Sequence, residues 1–176
     1  GREFTVAILG NGSEIRILPI VEILFESLLG ANPIYSYEAK WLWDTTEKPL
    51  DIYGCPAILD PRLKNEIESV CAKAYRVLRC RDWSRIDVRC DSHSVPHIIE
   101  INPLPGILPR PEDNSCFPKA ARVAGMSYNG LINSVADIAM RRNGVQAPAQ
   151  RYAVPADRSM MSIKDKRSNF LARKTR

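Results

Sequence analysis

Two short segments of alternating polar and apolar residues constrain the fold more than any other feature of this 176-residue sequence. They are residues 85–90 (RIDVRC) and 97–102 (HIIEIN), and the turn-rich link 91–96 joins them. Alternation with a period of two is typical of a strand that has one face on an apolar core and the other on polar surroundings. Two such segments across a short link predict an antiparallel β-hairpin.

One face of this hairpin collects polar groups. Side chains two residues apart lie on the same side of a strand, so Arg85 shares a face with Asp87, and Glu100 shares a face with Asn102. Pairing of the two strands would bring a guanidinium, two carboxylates and an amide oxygen together. The opposite face is predicted to be apolar and to carry Ile86, Val88, Ile99 and Ile101.

Two interpretations of this polar face stay open on spacing alone. Carboxylate and amide oxygens are the ligands that Mg²⁺ prefers, and Arg85 could steady an anionic phosphoryl group beside the ion. The other interpretation is a solvent-facing sheet whose charges form the weak pairs that are common on protein surfaces.

The remaining sequence predicts a mixed α/β domain with an antiparallel sheet and flanking helices. Residues 3–9 and 14–23 are β-branched and apolar and flank a Gly-Asn-Gly-Ser link, which predicts a further hairpin. Residues 30–60 show no sustained period and predict a long loop. Helices are predicted over 61–79, over about 118–124, and from the capping Ser127 to about residue 142.

The basic charge belongs to the C-terminal tail. The chain carries a net charge of +5, but residues 143–176 hold eight Lys and Arg against two Asp, so the rest is nearly neutral. We expect this polar tail to be disordered or loosely attached, and a solvated tail is favoured over a nucleic-acid-binding one.

An apolar fraction of 45% indicates a globular chain, and no apolar stretch is long enough to suggest a membrane partner. Five cysteines without a CxxC pair favour a reducing, cytoplasmic setting.

A series of segments along the chain closely resembles the D-alanine–D-alanine ligase family of the ATP-grasp superfamily. In the family's order they are residues 3–9 (EFTVAIL), 37–40 (YEAK), 55–57 (CPA), 85–87 (RID), 100–102 (EIN), 105–106 (PG) and 118–128 (PKAARVAGMSY). The resemblance covers about residues 1–142 and leaves 143–176 outside. It implies an ATP-grasp C-terminal subdomain that is truncated at its N-terminus, because the family's first-substrate domain, glycine-rich phosphate loop and adenine pocket have no match here.

The resemblance also implies roles for particular residues, which are expectations at this point. Two Mg²⁺ ions, with Mn²⁺ as an alternative, would be held by Asp87, Glu100 and Asn102. The acyl phosphate and the tetrahedral intermediate would be stabilised by Arg85 and by the backbone N–H of Gly106. Ser115 would hold the carboxylate of the second D-alanine, although as a bare residue it is equally typical of a helix N-cap. ATP would contact Glu3 through its ribose and Lys40 near its phosphates.

The implied activity is ATP-dependent formation of D-alanyl-D-alanine for peptidoglycan precursor synthesis, by a parent enzyme that is a homodimer. The loop 107–114 departs from the family pattern in length and sequence, so a ligase for another amino or carboxylic acid is an alternative. There, Arg110 could bind a carboxylate, although a solvent-facing arginine is favoured. A non-catalytic nucleotide- or partner-binding remnant is a second alternative. We expect the chain alone to have little or no ligase activity.

Overall fold

The computed structural model describes residues 1–25 and 52–145. Two expectations lie outside these residues: the placement of Lys40 and of most of the predicted loop around it, and the state of the basic tail beyond residue 145. Within the described residues the predicted antiparallel sheet with flanking helices is confirmed.

The described residues form one antiparallel sheet. Its strands are β1 (Glu3–Leu9), β2 (Arg16–Ile17), β3 (Val21–Ile23), β4 (Tyr53–Gly54), β5 (Trp83–Cys90) and β6 (Pro96–Asn102). The order across the sheet is β4-β3-β1-β5-β6, and β2 pairs with the far end of β1. β1 is therefore central, which explains why residues 4–9 are all buried whichever face they lie on.

The first predicted hairpin forms, but its second strand is divided. Residues 14–23 provide two short strands that both pair antiparallel with β1, and a 3₁₀ turn over Gly12–Glu14 replaces a tight two-residue turn. The break falls around Pro19, which has no N–H to contribute to a ladder. The prediction of an unbroken loop over 30–60 is wrong for residues 53–54, because β4 pairs there with β3.

Three helices cover the sheet in the described part of the chain: α1 (Pro61–Val77), α2 (Cys116–Val123) and α3 (Tyr128–Arg142). Their starts follow the sequence signals. Asp60 caps α1 by accepting the N–H of Leu63 at 3.0 Å, and Ser127 caps α3 by accepting the N–H of Gly130 at 3.0 Å. α2 begins two residues before the predicted Pro118, which fits because proline is tolerated in a first helical turn. None of these helices is both long and apolar enough to cross a membrane.

The sheet separates two apolar cores. On one face α1 packs against β1 and β5 through the buried residues Phe4, Val6, Ile8, Leu63, Ile67, Cys71, Tyr75, Ile86 and Val88. On the other face α2 and α3 pack against β1 and β3 through Ala7, Leu9, Val21, Ile23, Phe117, Ala120, Ala121 and Leu131. All five cysteines lie in the described residues and are free thiols.

The hairpin of β5 and β6 is confirmed, with one correction to its apolar face. Arg85 lies opposite Asn102 and Asp87 opposite Glu100, but the next pair joins Val88 to Ile98. Ile99 is therefore the extra residue of a β-bulge and is 56% exposed. The extra residue shifts the alternation by one position, so Ile98 instead of Ile99 packs with Ile101 against the α1 core.

Candidate functional site

The polar face of β5 is anchored by a bidentate pair between two residues of that strand. Nε of Arg85 donates to Oδ1 of Asp87 at 2.9 Å, and Nη2 donates to Oδ2 at 2.7 Å. The two side chains are 22% and 18% exposed, so solvent reaches them only partly. Burial by itself lowers the pKa of Arg85, but the hydrogen bonds and charge of Asp87 outweigh burial and the pKa is raised. Arg85 therefore stays a cation.

Strand β6 adds the second carboxylate and an amide to this face. The amide orientation of Asn102 that satisfies both of its ends places its nitrogen 2.8 Å from Oε1 of Glu100, as donor, and its oxygen 3.0 Å from Nη2 of Arg85, as acceptor. Glu100 itself is exposed. The register thus brings all four predicted residues into one hydrogen-bonded group, which we call the Arg85 cluster: Arg85, Asp87, Glu100 and Asn102.

The Arg85 cluster lies on the sheet face that α2 and α3 cover. Across the β1–β5 ladder Ala7 is opposite Arg85 and Thr5 is opposite Asp87, and Ala7 belongs to the core beneath α2. The thiol of Cys116, the first residue of α2, interacts with the Thr5 side chain. Burial raises the pKa of Cys116 to about 12, so its thiol is protonated near neutral pH and is unsuited to nucleophilic attack.

Glu3 lies one strand away from the cluster and is already paired. It is opposite Arg89 in the ladder, and Nη1 of Arg89 donates to its Oε2 at 3.0 Å. The guanidinium of Arg89 also lies over the ring of Phe25, 5.3 Å from the ring centre. Burial raises the pKa of Glu3, and the charge of Arg89 opposes this increase. The carboxylate is therefore held in one position on the same face as Asp87.

Gly106 and Ser115 lie together at the ends of one loop. The Ser115 hydroxyl donates to the carbonyl oxygen of Gly106 at 3.0 Å and accepts the N–H of Leu108 at 3.2 Å. Ser115 occupies the N-cap position of α2, but its side chain makes no capping bond. A Cβ built on Gly106 would meet no atom within 4 Å, so nothing in the described structure itself requires glycine there.

The loop between them forms a 3₁₀ turn over Pro111–Asp113. Nη2 of Arg110 donates to Oδ1 of Asp113 at 3.0 Å, and its Nε donates to Oδ2 at 3.2 Å. Arg110 is therefore paired within its own turn while its side chain is 59% exposed. This arrangement agrees with the favoured solvent-facing interpretation of Arg110.

The donor set of the Arg85 cluster fits a hard divalent cation. It offers two carboxylates and an amide oxygen on neighbouring strands in register, and Mg²⁺ takes such oxygen ligands while keeping several waters. Residues 1–25 and 52–145 contain no group of three or more His, Cys, Asp or Glu side chains arranged to hold a metal. The amide of Asn102 is thus needed to complete the set.

The sequence analysis did not single out two residues that make contacts in this region, Arg89 and Tyr128. Arg89 follows Asp87 by two positions, so extending the strand alternation would have placed it on the same face. Tyr128 donates its hydroxyl to the carbonyl oxygen of Ile107 at 3.1 Å, and no local sequence signal indicates a contact between a helix start and a loop 21 residues earlier.

Comparison with known proteins gives consistent results. The family model "D-ala D-ala ligase C-terminus" matches residues 1–137. The D-alanine–D-alanine ligase of Bordetella avium is 37% identical over 150 residues, which is 85% of this chain and 42% of the relative. The uncharacterized protein y4sG of Sinorhizobium fredii is 37% identical over 148 residues, 82% of this chain and 41% of that protein. The chain therefore spans about two-fifths of the length of these relatives.

Solved structures show the same fold at lower identity. A Bacillus anthracis D-alanine–D-alanine ligase complexed with ATP has a TM-score of 0.58 at 22% identity, over 84% of this chain and 40% of that one. The Coxiella burnetii enzyme has a TM-score of 0.60 at 19% identity, over 82% and 33%. These likenesses show that the described sheet and helices have the same fold as the matched part of these two structures. The chain belongs to the D-alanine–D-alanine ligase family and corresponds to the C-terminal part of its members.

Proposed function

We propose that this chain supplies the metal-binding and intermediate-stabilising part of an ATP-dependent carboxylate–amine ligase that forms D-alanyl-D-alanine. The observation that carries the proposal is the register of β5 and β6, which sets Asp87 opposite Glu100 and Arg85 opposite Asn102 on one face. A solvated surface would not require four different polar groups to share one hydrogen-bonded cluster. Because the chain belongs to the ligase family, we assign this cluster a role in the ligase reaction.

The reaction needs positive charge at this position in both of its steps. The γ-phosphoryl group of ATP passes to a carboxylate oxygen of the first D-alanine, which gives an acyl phosphate and ADP. The amino nitrogen of the second D-alanine then attacks the acyl carbon, loses a proton, and displaces inorganic phosphate. Negative charge develops on the phosphoryl and carbonyl oxygens in both steps, and a fixed guanidinium such as Arg85 can stabilise it.

The other proposed roles follow from placement. Asp87, Glu100 and Asn102 would hold Mg²⁺ or Mn²⁺, which when bound neutralises phosphate charge. Glu3, held by Arg89 on the same face, would accept hydrogen bonds from the ATP ribose. The role of Lys40 near the phosphates stays a prediction from the family resemblance. The backbone N–H of Gly106 would donate to the oxygen of the tetrahedral intermediate.

The remaining length of the relatives is expected to supply the first-substrate side and the adenine pocket. We therefore propose that the 176-residue chain alone has little or no ligase activity. Four further points stay predictions from the sequence. They are a cytoplasmic location, a role in peptidoglycan precursor synthesis, a homodimeric parent enzyme, and a domain boundary near residue 142 that is followed by a disordered tail. A solvated basic tail stays favoured over a nucleic-acid-binding one, and direct binding measurements with nucleic acid test this prediction.

A different acceptor is the second candidate, and one observation favours it. The loop that lies between Gly106 and Ser115 contains its own 3₁₀ turn and an internal Arg110–Asp113 pair. This loop lies beside the residues proposed to act on the acceptor. A ligase of the same mechanism that joins another amino or carboxylic acid would retain the Arg85 cluster and change only this loop.

Metal binding tests the proposal on the chain itself. Mn²⁺ titration, followed by the relaxation of solvent protons, should show a site that Mg²⁺ displaces competitively. Glu100→Gln removes one ligand charge and should weaken binding at least about tenfold. The matched control is Glu14→Gln, an exposed glutamate in the Gly12–Glu14 turn on another part of the chain, which should bind as the unchanged chain does. Equal binding by both variants would contradict the metal role of Glu100.

Turnover tests the reaction. The N-terminal portion of the Bordetella avium relative would be fused before residue 1, and ADP formation measured with D-alanine and a panel of other amino acids. Activity that requires both D-alanine and Glu100 supports the first candidate. Activity with another acid alone supports the second candidate, and a folded, metal-binding fusion without turnover on any acid would count against both.

A further inference from the structure

Glu3 and Arg89 form a side-chain pair between two neighbouring strands of the sheet. They are opposite each other in the β1–β5 ladder, and Nη1 of Arg89 donates to Oε2 of Glu3 at 3.0 Å. Arg89 is two residues from Asp87 on β5, so the pair lies on the same face of the sheet as the Arg85 cluster. The pair therefore lies beside the candidate site but shares no residue with it.

The guanidinium of Arg89 is held from two sides. It bonds to Glu3 on β1, and it lies over the ring of Phe25, which follows β3, at 5.3 Å from the ring centre. Because β1 lies between β5 and β3 in the sheet, the contact of Arg89 with Phe25 crosses β1 at Glu3. A charged hydrogen bond and an aromatic face together restrict the guanidinium, and through it the carboxylate, to one position.

The pair occupies one of the two carboxylate oxygens of Glu3. Oε2 accepts from Arg89, whereas no group within residues 1–25 and 52–145 donates to Oε1. Among the side chains of these same residues, the buried nitrogen and oxygen atoms without a hydrogen-bond partner comprise a single atom, Nη1 of Arg122. Oε1 of Glu3 is thus accessible to solvent, although the whole side chain is only 13% exposed. Glu3 presents one fixed acceptor atom to a ligand.

A fixed carboxylate oxygen selects a hydroxyl group in its ligand. An ionised carboxylate only accepts hydrogen bonds, so it is suited to a sugar hydroxyl and unsuited to a phosphate oxygen. A site that is built to bond a hydroxyl rejects an analogue without that hydroxyl, because the acceptor is then left without a partner. A carboxylate that is free to turn toward solvent would lose less and would discriminate less.

We propose that Arg89 is a positioning residue of the nucleotide site, which holds the Glu3 carboxylate so that Oε1 accepts a hydroxyl of the ATP ribose. The pair of Arg89 and Glu3 thereby makes the site select ribonucleotides over deoxyribonucleotides. Arg89 acts through Glu3 and not on the reacting groups. The inference rests on the proposed contact of Glu3 with the ribose, whereas the pair itself rests only on the described residues.

Nucleotide kinetics of the fused protein test this role. The KM for 2′-deoxy-ATP or for 3′-deoxy-ATP should exceed the KM for ATP at least about tenfold. Arg89→Met removes the cation and keeps an unbranched apolar side chain. It should raise the KM for ATP about fivefold, leave kcat unchanged, and bring the ratio of the deoxy-ATP and ATP KM values close to one. Arg89→Lys keeps a cation and should retain most of the ratio.

The matched control is Arg2→Met. Arg2 also pairs with a glutamate, since its Nε and Nη2 donate to the two carboxylate oxygens of Glu22 at 2.6 and 2.8 Å. Glu22 is opposite Phe4, whose side chain lies in the α1 core, so this pair belongs to the other face of the sheet. Arg2→Met should leave both KM values and their ratio unchanged.

A double-variant experiment shows whether Arg89 acts through Glu3. Glu3→Gln alone should also bring the ratio of KM values close to one, and Arg89→Met should then lower it no further. On the 176-residue chain, urea unfolding tests the contact without turnover. The loss of stability in the double variant should be smaller than the sum of the losses in the two single variants. Additive losses would contradict the pair.

Calorimetric binding of ATP and its deoxy analogues to the fused protein separates this inference from the ligase proposal. A preference for ATP that Arg89→Met abolishes would uphold the inference even without turnover, in which case the ligase proposal alone fails. Three results would overturn the inference: equal binding of the nucleotides by the unchanged fused protein, no binding of ATP, or an Arg89→Met variant that keeps the preference. A fall in kcat with an unchanged KM for ATP in that variant would also overturn it, because Arg89 would then act on the reacting groups.

Discussion

Two bidentate Arg–Asp pairs involve β5, one just before its first residue and one within the strand, and they differ in what they connect. Asp82, just before the strand, accepts from Nε and Nη2 of Arg142 at 3.0 and 2.7 Å. It also accepts from Nδ2 of Asn11 at 2.9 Å and donates its own backbone N–H to Oδ1 of Asn11 at 2.9 Å. We call this group the Asp82 brace. It joins the β1–β2 link, the start of β5 and the end of α3, which are far apart in sequence.

The Arg85 cluster joins residues that the hairpin already brings together. Arg85 and Asp87 are neighbours on one strand, and Glu100 and Asn102 lie opposite them in the ladder. Burial does not separate the two groups, since the side chains of Asp82 and Asp87 are 14% and 18% exposed. Connectivity does separate them. The brace joins segments that are distant in sequence, whereas the cluster joins the two strands of one hairpin.

This difference teaches how to distinguish a structural ion pair from a candidate site. An ion pair that joins distant segments stabilises their arrangement, and its removal should cost stability. A cluster within one hairpin joins residues that are already neighbours, so its removal should cost less stability. Variants in either region therefore serve as controls for variants in the other.

The largest expected effect is on turnover. Arg85→Gln should lower kcat of the fused protein about 100- to 1,000-fold, because the charge that stabilises the developing oxyanion is lost. Mn²⁺ should bind at least as tightly as before, since a competing cation has been removed. Arg142→Gln is the matched control and should leave turnover and Mn²⁺ affinity unchanged. Weaker Mn²⁺ binding in Arg85→Gln would show that Arg85 builds the metal site and does not act beside it.

The next effect is on stability, and it should appear at the brace. Asp82→Ala removes charged hydrogen bonds to Arg142 and Asn11 and should lower the free energy of unfolding by about 1–3 kcal/mol. Asp87→Ala should lower it by less than about 1 kcal/mol, because its main partner lies on the same strand. Urea unfolding of the 176-residue variants measures both values. An equal loss in the two variants would remove the distinction between brace and cluster.

The brace should also give a pH dependence. Hydrogen bonds from Arg142 hold the pKa of Asp82 below its usual value. A carboxyl with a lowered folded-state pKa contributes stability that is fully present above its unfolded-state pKa and is lost as pH falls toward the folded-state value. Stability should therefore decline below about pH 4 more steeply in the unchanged chain than in Asp82→Asn. Parallel pH curves from urea unfolding would contradict this assignment.

The sequence was sufficient for the hairpin and for the membership of its polar face, because both depend only on alternation with a period of two. It was not sufficient for the bulge. The adjacent residues Ile98 and Ile99 interrupt the alternation, but either could be the extra residue, and the choice depends on packing against α1. The capping residues Asp60 and Ser127 could be predicted because a capping contact is local in sequence: each side chain accepts an N–H three residues further along the chain.

The contacts of Ser115 could not be predicted from local sequence. Its position before α2 is typical of an N-cap, yet its hydroxyl bonds to Gly106 and Leu108, nine and seven residues earlier. Whether the hydroxyl caps α2 or bonds to the loop depends on where the loop meets the helix, and the packing of α2 against the sheet determines that position. The contact of Tyr128 with Ile107 could not be predicted for the same reason.

The smallest expected effect is a pH dependence of stability at Glu3, which should be opposite in sign to that at Asp82. Burial raises the pKa of Glu3, and the charge of Arg89 opposes this without cancelling it. A carboxyl with a raised folded-state pKa contributes stability that is fully present below its unfolded-state pKa and is lost as pH rises through the folded-state value. Glu3→Gln, unlike Asp82→Asn, should therefore remove a small loss of stability that develops as pH rises above about 4, where an ordinary glutamate ionises. Urea unfolding at a series of pH values from about 4 upward measures the effect, with Glu14→Gln as the exposed control. A change of the opposite sign would mean that Arg89 dominates, and that Glu3 is a second brace and not a carboxylate kept at a cost for a ligand.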